Sequence, residues 1–113
     1  MRWNVLVTLA AAAALPPAVP VHAQTFPAKP VRIIVPFPAG GPSDILTRMM
    51  APKLIEIWNQ QITVDNRPGA GTIIGSELGA KAAPDGYTVT LVSTGHATNP
   101  GLHSKLPYDT LAD

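Results

Sequence analysis

The chain has 113 residues, one small domain at most, and its 46% hydrophobic and 13% charged content excludes both a disordered tail and a charged coiled coil. Eight Lys+Arg against seven Asp+Glu give a net charge of +1, with no basic stripe for nucleic acid and no polybasic run for anionic lipid. Cysteine is absent, which excludes a disulfide framework, a thiol nucleophile and a thiolate metal site.

Met1 and Arg2 make a short basic start, and Val5 to Leu15 is apolar apart from Thr8. Pro16, Pro17 and Pro20 break that run, and Val21-His22-Ala23 offers small or moderate side chains at the spacing a signal peptidase reads. The reading is a secretory signal over residues 1–23, cleaved after Ala23. As a helix the apolar run would span about 16 Å, too short for a hydrocarbon core of about 30 Å. The alternative of an amino-terminal membrane anchor is therefore disfavoured, and without paired arginines there is no twin-arginine signal. Removal of Arg2 leaves a neutral mature chain that is exported and not membrane-embedded.

Gln24 to Pro30 is a polar lead-in. Val31-Arg32-Ile33-Ile34-Val35 is β-branched almost throughout and ends at the Pro/Gly-rich run 36–42, the pattern of a strand buried on both faces of a parallel sheet. Ser43 is placed to cap a following helix, with Asp44 in its first turn. Leu46, Met50, Leu54 and Ile57 or Trp58 form an apolar stripe suited to packing on a sheet. Pro52 lies inside that helix and is expected to kink or divide it.

Ile62 to Asp65 reads as a second strand, and Asn66 to Gly71 as a glycine-rich turn. Ile73 to Ala83 reads as a second helix, with a Glu77–Lys81 pair one turn apart. Ala83-Pro84-Asp85-Gly86 has the residues of a type I turn. Tyr87 to Ser93 reads as a third strand, followed by a loop from Thr94 to Pro100; Leu102 to Asp113 has no assignable pattern. The order is βαβαβ over residues 24–113. Both links are long enough for parallel crossovers, which are right-handed almost always. The fold class is α/β, a Rossmann-like, doubly wound parallel sheet.

Ligands of such sheets bind at the carboxyl ends of the strands, where the loops 38–44, 66–72 and 93–99 emerge. Glycine-rich loops that lead into helix N-termini uncover backbone N–H groups and suit a carboxylate or phosphate. The candidate ligand-binding residues are Pro38, Gly40, Gly41, Ser43, Asp44, Ser93, Thr94, Gly95, His96 and Asn99; the same residue types also serve as ordinary turns and caps. Asp44 has two readings: a first-turn acid that stabilises its own helix, or an acceptor for a ligand ammonium or hydroxyl.

Catalytic and cofactor readings find less. Gly69-Ala70-Gly71 begins a dinucleotide-type pattern, but Ile74 holds the third glycine position, and the motif follows the second strand rather than the first. No Walker-type Gly-Lys-Ser/Thr occurs. His96 has no nucleophile elbow near it, so contact with a ligand or loop packing is favoured over catalysis. His96 and His103 have no acid arranged around them, so no metal site is expected.

Residues 29–44, Lys-Pro-Val-Arg-Ile-Ile-Val-Pro-Phe-Pro-Ala-Gly-Gly-Pro-Ser-Asp, closely resemble the opening of the Bug-type solute receptors of tripartite tricarboxylate transporters. Three further stretches agree with that family in order and spacing: residues 65–71 (Asp-Asn-Arg-Pro-Gly-Ala-Gly), 81–88 (Lys-Ala-Ala-Pro-Asp-Gly-Tyr-Thr) and 106–109 (Leu-Pro-Tyr-Asp). The resemblance implies a periplasmic receptor of two α/β lobes that closes on a small carboxylate without a cofactor. It implies that the loop from Pro38 to Asp44 holds one carboxylate through backbone N–H groups and ordered water. The loop from Ser93 to Asn99 would add hydroxyl and side-chain contacts. The partners it implies are a small membrane subunit and a large permease, and the ligands di- and tricarboxylates, acidic amino acids and aromatic or amide relatives.

The sequence departs from the family pattern at Pro52, where a helix former is usual, and at Thr72, where glycine is common. Family members also continue well beyond Asp113. The expectation is thus a partial first lobe, with the second lobe missing and the receptor weak or inactive alone. Two other classes compete with it: a small exported module that pairs through an exposed sheet edge, and an α/β enzyme acting on a phosphorylated substrate.

Overall fold

The computed structural model describes residues 25–112. The expected leader and its cleavage after Ala23 lie outside those residues. Three parallel strands form one sheet: β1 (Val31–Val35), β2 (Ile62–Asn66) and β3 (Thr88–Thr90). Their order is β2-β1-β3. Val31 pairs with Ile62 and Val35 with Asn66, while Arg32 to Ile34 pair with Thr88 to Thr90. β1 is thus the central strand, and its Val31, Ile34 and Val35 are almost wholly enclosed, as its β-branched run predicts.

Helix α1 (Pro42–Trp58) joins β1 to β2, and α2 (Ile73–Ala80) joins β2 to β3 after a 3₁₀ turn at Ala70–Thr72. Val31, Ile33, Val89 and Leu91 face Thr47, Met50 and Leu54 of α1. Thr90, of opposite parity to Val89 and Leu91, lies against Gly79 of α2. The two helices therefore cover opposite faces, and the doubly wound α/β reading holds.

Several boundaries differ from the sequence reading. Gly41, not Ser43, is the N-cap of α1, and the helix begins at Pro42. Proline suits that position because it lacks the N–H that would have no partner there. Pro52 does not divide α1, which runs unbroken from Pro42 to Trp58. The residues of α1 turned most closely inward are Asp44, Thr47 and Ala51. Leu46, Met50 and Ile57 of the expected stripe are instead more than half exposed, at 55%, 52% and 66%.

α2 stops at Ala80, and Lys81 and Ala82 close its end by donating to Glu77 and Gly79 carbonyls. β3 spans three residues rather than seven. The segment read as a loop after β3 is largely helical: α3 runs Thr94–Leu102, with Ser93 as its N-cap accepting from the Gly95 N–H. Its Gly, Asn and Pro content reads as loop, yet one well-placed serine cap and tertiary packing outweigh that propensity.

The bend before β3 is held by the Asp85 side chain, which accepts from the Tyr87 N–H at 3.0 Å and pairs with Lys29 at 3.0 Å. Lys29 also lies over the Tyr87 ring, and the Tyr87 hydroxyl accepts from the Ala28 N–H. The lead-in is thereby fastened near the amino ends of the strands, opposite the loops that matter below. Among the described residues no helix is long and apolar enough to cross a membrane.

Candidate functional site

The loop after β1 is built around Asp44. This residue is 3% exposed although its helix begins at the surface, because its carboxylate has three partners. It accepts from the Gly40 N–H at 2.8 Å, from Arg48 Nε at 2.9 and 3.0 Å, and from Asn66 Nδ2 at 3.0 Å. These bonds, the Gly40 amide foremost, hold its pKa at about 2, against the opposing effect of burial. Asn66 also donates to the Phe37 carbonyl and accepts from Arg48 Nη2. The end of β2 thus braces the loop that leaves β1.

Of the other candidates in this loop, Pro38 and Gly40 are exposed, and Gly41 and Ser43 are half-buried. Gly40 has φ of 80°, a conformation glycine adopts freely. Its N–H is committed to Asp44, and the Gly41 N–H to the Pro38 carbonyl at 3.2 Å. First-turn amides have no carbonyl of their own helix to bond, so Ser43 and Asp44 supply the backbone donors at this helix start. Pro42 has none.

The second cluster gathers around the start of α3. Asn99, 3% exposed, donates from Nδ2 to the Gly71 carbonyl at 3.0 Å. Gly95 lies against Thr72 and Gly71, where an added Cβ would stand 3.1 Å from Thr72 Oγ1. His96 stacks on Tyr108, with ring centroids 5.4 Å apart and planes within 6°. Its Nδ1 lies 3.4 Å from Ser76 Oγ. Ser76 is only 5% exposed, so that hydroxyl is not presented to a substrate. Thr94 is exposed and Ser93 half-buried beside it. An open cleft of about 850 Å³ runs from this stack past Pro100, His103 and Leu106.

The two sets of candidates are joined through the middle loop. Asn66 fastens the first set and Gly71–Thr72 receives the second, while Gly75 packs on Pro36 and the Arg67 carbonyl. Three strand ends and the starts of α1, α2 and α3 therefore lie together at the carboxyl end of the sheet. The helix starts carry partial positive charge and favour an anion. No group of three or more metal-ligating side chains occurs among the described residues.

Sequence reasoning placed Asn66 and Thr72 in the middle loop of this region but not among the candidate binding residues, and it missed Arg48 and Tyr108 altogether. Two of them carried a signal: Asn66 closes a strand at its carboxyl end, and Arg48 stands one turn after Asp44. Tyr108 reaches it only through tertiary packing, by stacking on His96.

Comparison with known proteins places this geometry in context. Residues 46–113 match the family model described as the tripartite tricarboxylate transporter family receptor. BugT of Bordetella pertussis is 44% identical over 98 residues, which are 85% of this chain and 30% of that protein. The solved periplasmic binding protein BugD is similar over 75% of this chain and 28% of its own, at 38% identity and a TM-score of 0.71. An R. palustris protein solved with adipate is similar over 78% of this chain and 30% of its own, at 37% identity and a TM-score of 0.73. The chain thus spans about 30% of the length of BugT and of the adipate-bound protein.

Proposed function

The chain belongs to the tripartite tricarboxylate transporter receptor family, and from that premise we propose that it is the carboxylate-holding part of a periplasmic solute receptor. The observation that carries this reading is the convergence of three helix starts, at Pro42, Ile73 and Thr94, at the carboxyl end of the sheet. On this reading that end faces a small di- or tricarboxylate. The first-turn amides of Ser43 and Asp44 would meet one carboxylate, with Pro38, Gly40 and Gly41 shaping the loop. Ser93, Thr94, Gly95, His96 and Asn99 would form the opposing wall, Asn99 by fixing the Gly71 carbonyl and His96 by closing against Tyr108.

Residues 1–23 are proposed to act as an export signal removed after Ala23, and residues 24–113 to form part of the first lobe. Delivery would be to membrane permease subunits, by binding and release without catalysis or cofactor. Asp44 is assigned to positioning: its three internal partners support that role over direct contact with a ligand.

The test is thermal unfolding of the mature chain with millimolar adipate, malate, citrate or glutamate. A ligand at a hundredfold over its dissociation constant stabilises by about 2.7 kcal/mol, a clear rise in midpoint. A cooperative transition that none of these carboxylates moves would sink the reading.

The rival is an interaction module, favoured by one observation. Beside α1 an apolar groove of about 200 Å³, lined by Met50, Leu54, Val89 and Leu91, is left open, and Val89 on the edge strand is 46% exposed. A concentration-dependent rise in mass on size-exclusion chromatography, without any carboxylate response, would favour that alternative.

A further inference from the structure

Thr72 is the residue of this region whose conformation and chemistry are least explained by the fold. It has φ of 80° and ψ of −5°, a left-handed conformation that is unfavourable for a β-branched side chain. It occupies the N-cap position of α2, where a threonine hydroxyl ordinarily accepts from the first turn, yet it makes no capping hydrogen bond. The residue is 9% exposed, and its Oγ1 is buried without a hydrogen-bond partner. Backbone strain and an unpaired buried hydroxyl are both destabilising, and they coincide at one residue.

The surroundings of that hydroxyl point to a role. Oγ1 faces Gly95, where a Cβ would stand 3.1 Å away, next to the Gly71 carbonyl and Ser93 Oγ. Ser93 is committed to the Gly95 N–H, and the Gly71 carbonyl accepts from Asn99. The hydroxyl of Thr72 is thus the polar group left over where the starts of α2 and α3 meet. Both helix starts favour an anion there.

We propose that Thr72 is a ligand-reading residue: its hydroxyl donates to an oxygen of the bound carboxylate at the joint between Thr72 and Gly95. This deepens the receptor reading and rests on it. Gly95 packs over Oγ1, so the joint must part by the width of the incoming oxygen. Binding then supplies the partner that the fold withholds, so the missing hydrogen bond contributes to affinity rather than to stability.

The test uses the full chain and three substitutions. Thr72→Val keeps the shape and removes the hydroxyl, Thr72→Ser keeps the hydroxyl, and Thr72→Gly relieves the backbone and removes the hydroxyl. Affinities for adipate, malate and citrate are read by calorimetry, alongside the unliganded melting temperature. Loss of one hydrogen bond is expected to weaken binding by about tenfold in the Val and Gly variants, with Ser near wild type. The Gly variant should melt higher than wild type while binding more weakly, a split that a structural role for Thr72 does not produce. Wild-type affinity in Val, or in Gly if Val fails to fold, would overturn the inference and leave the receptor reading standing. Failure of the wild-type chain to bind any of the three would overturn both.

Discussion

Asn66, the last residue of β2, holds Asp44, in the first turn of α1, through a 3.0 Å hydrogen bond from Nδ2 to Oδ1. The same amide reaches the Phe37 carbonyl at 3.1 Å, so one side chain couples a strand end, a loop and a helix start. Asn66→Asp is expected to be more disruptive than Asn66→Ala at neutral pH. It replaces the donor by a second carboxylate facing the first, whereas alanine only removes the bond. Paired thermal melts of the two variants check this ordering, and an Asp variant as stable as the Ala variant would contradict it.

A pH dependence follows from the same cluster. The Asp44 pKa is depressed to about 2, and those of Asp65 and Asp85 are lowered as well, chiefly by Arg32 and by the Tyr87 N–H. A carboxyl whose folded pKa lies below its unfolded value favours the folded state above the unfolded pKa, and that contribution disappears as pH falls through the folded pKa. Stability should therefore hold from pH 7 down to about 4, the ordinary carboxylate range. It should then decline toward pH 2. In Asp44→Asn the melting temperature at pH 7 should be lower and its dependence between those limits shallower. Parallel slopes for the two proteins would rule out this assignment.

Close approach between α2 and its neighbours gives a steric prediction. A Cβ on Gly75 would come within 2.5 Å of Pro36 Cβ, 2.9 Å of Pro36 Cα and 3.0 Å of the Arg67 carbonyl oxygen. Two of these three atoms are backbone and cannot swing aside. Gly75→Ala is expected to cost about 1–3 kcal/mol. Gly101→Ala in α3, where nothing lies within 4 Å, should be neutral or slightly stabilising. Urea unfolding of the two variants separates packing from helix propensity.

Much of the fold was legible because its signals are local. The run from Val31 to Val35 announces a buried parallel strand, and the link lengths then determine the crossover type. The convergence of the loops after β1, β2 and β3 was legible because sheet topology alone places them together. The extent of α3 was not: Gly95, Asn99 and Pro100 have loop propensities, and the helix persists through the Ser93 cap and through Asn99 on Gly71. The facing of α1 was hidden too. Its inward positions are an aspartate, a threonine and an alanine, and only the bonds from Gly40, Arg48 and Asn66 make a buried Asp44 tolerable. A strained Thr72 is likewise invisible to pattern reading, since its backbone angle depends on what α3 places beside it.

Pro52 offers a further check. It lies exposed inside an unbroken α1, where proline costs roughly 3 kcal/mol or more relative to ordinary helix formers. Pro52→Ala should therefore raise the urea midpoint without changing the slope, an increase of up to about 3 kcal/mol. An unchanged midpoint would mean that the helix already accommodates the ring without strain.

The strand order has a consequence for how the protein comes into being. Of the three described strands the central one is synthesised first: Val31 must await Ile62, and Arg32 must await Thr88, before these strands are paired. Pairings so distant along the chain close slowly, because the intervening segment must first be brought round. Until β3 leaves the ribosome, β1 lacks its partner on that edge. A chain made in this order carries its most apolar strand without partners through most of its synthesis.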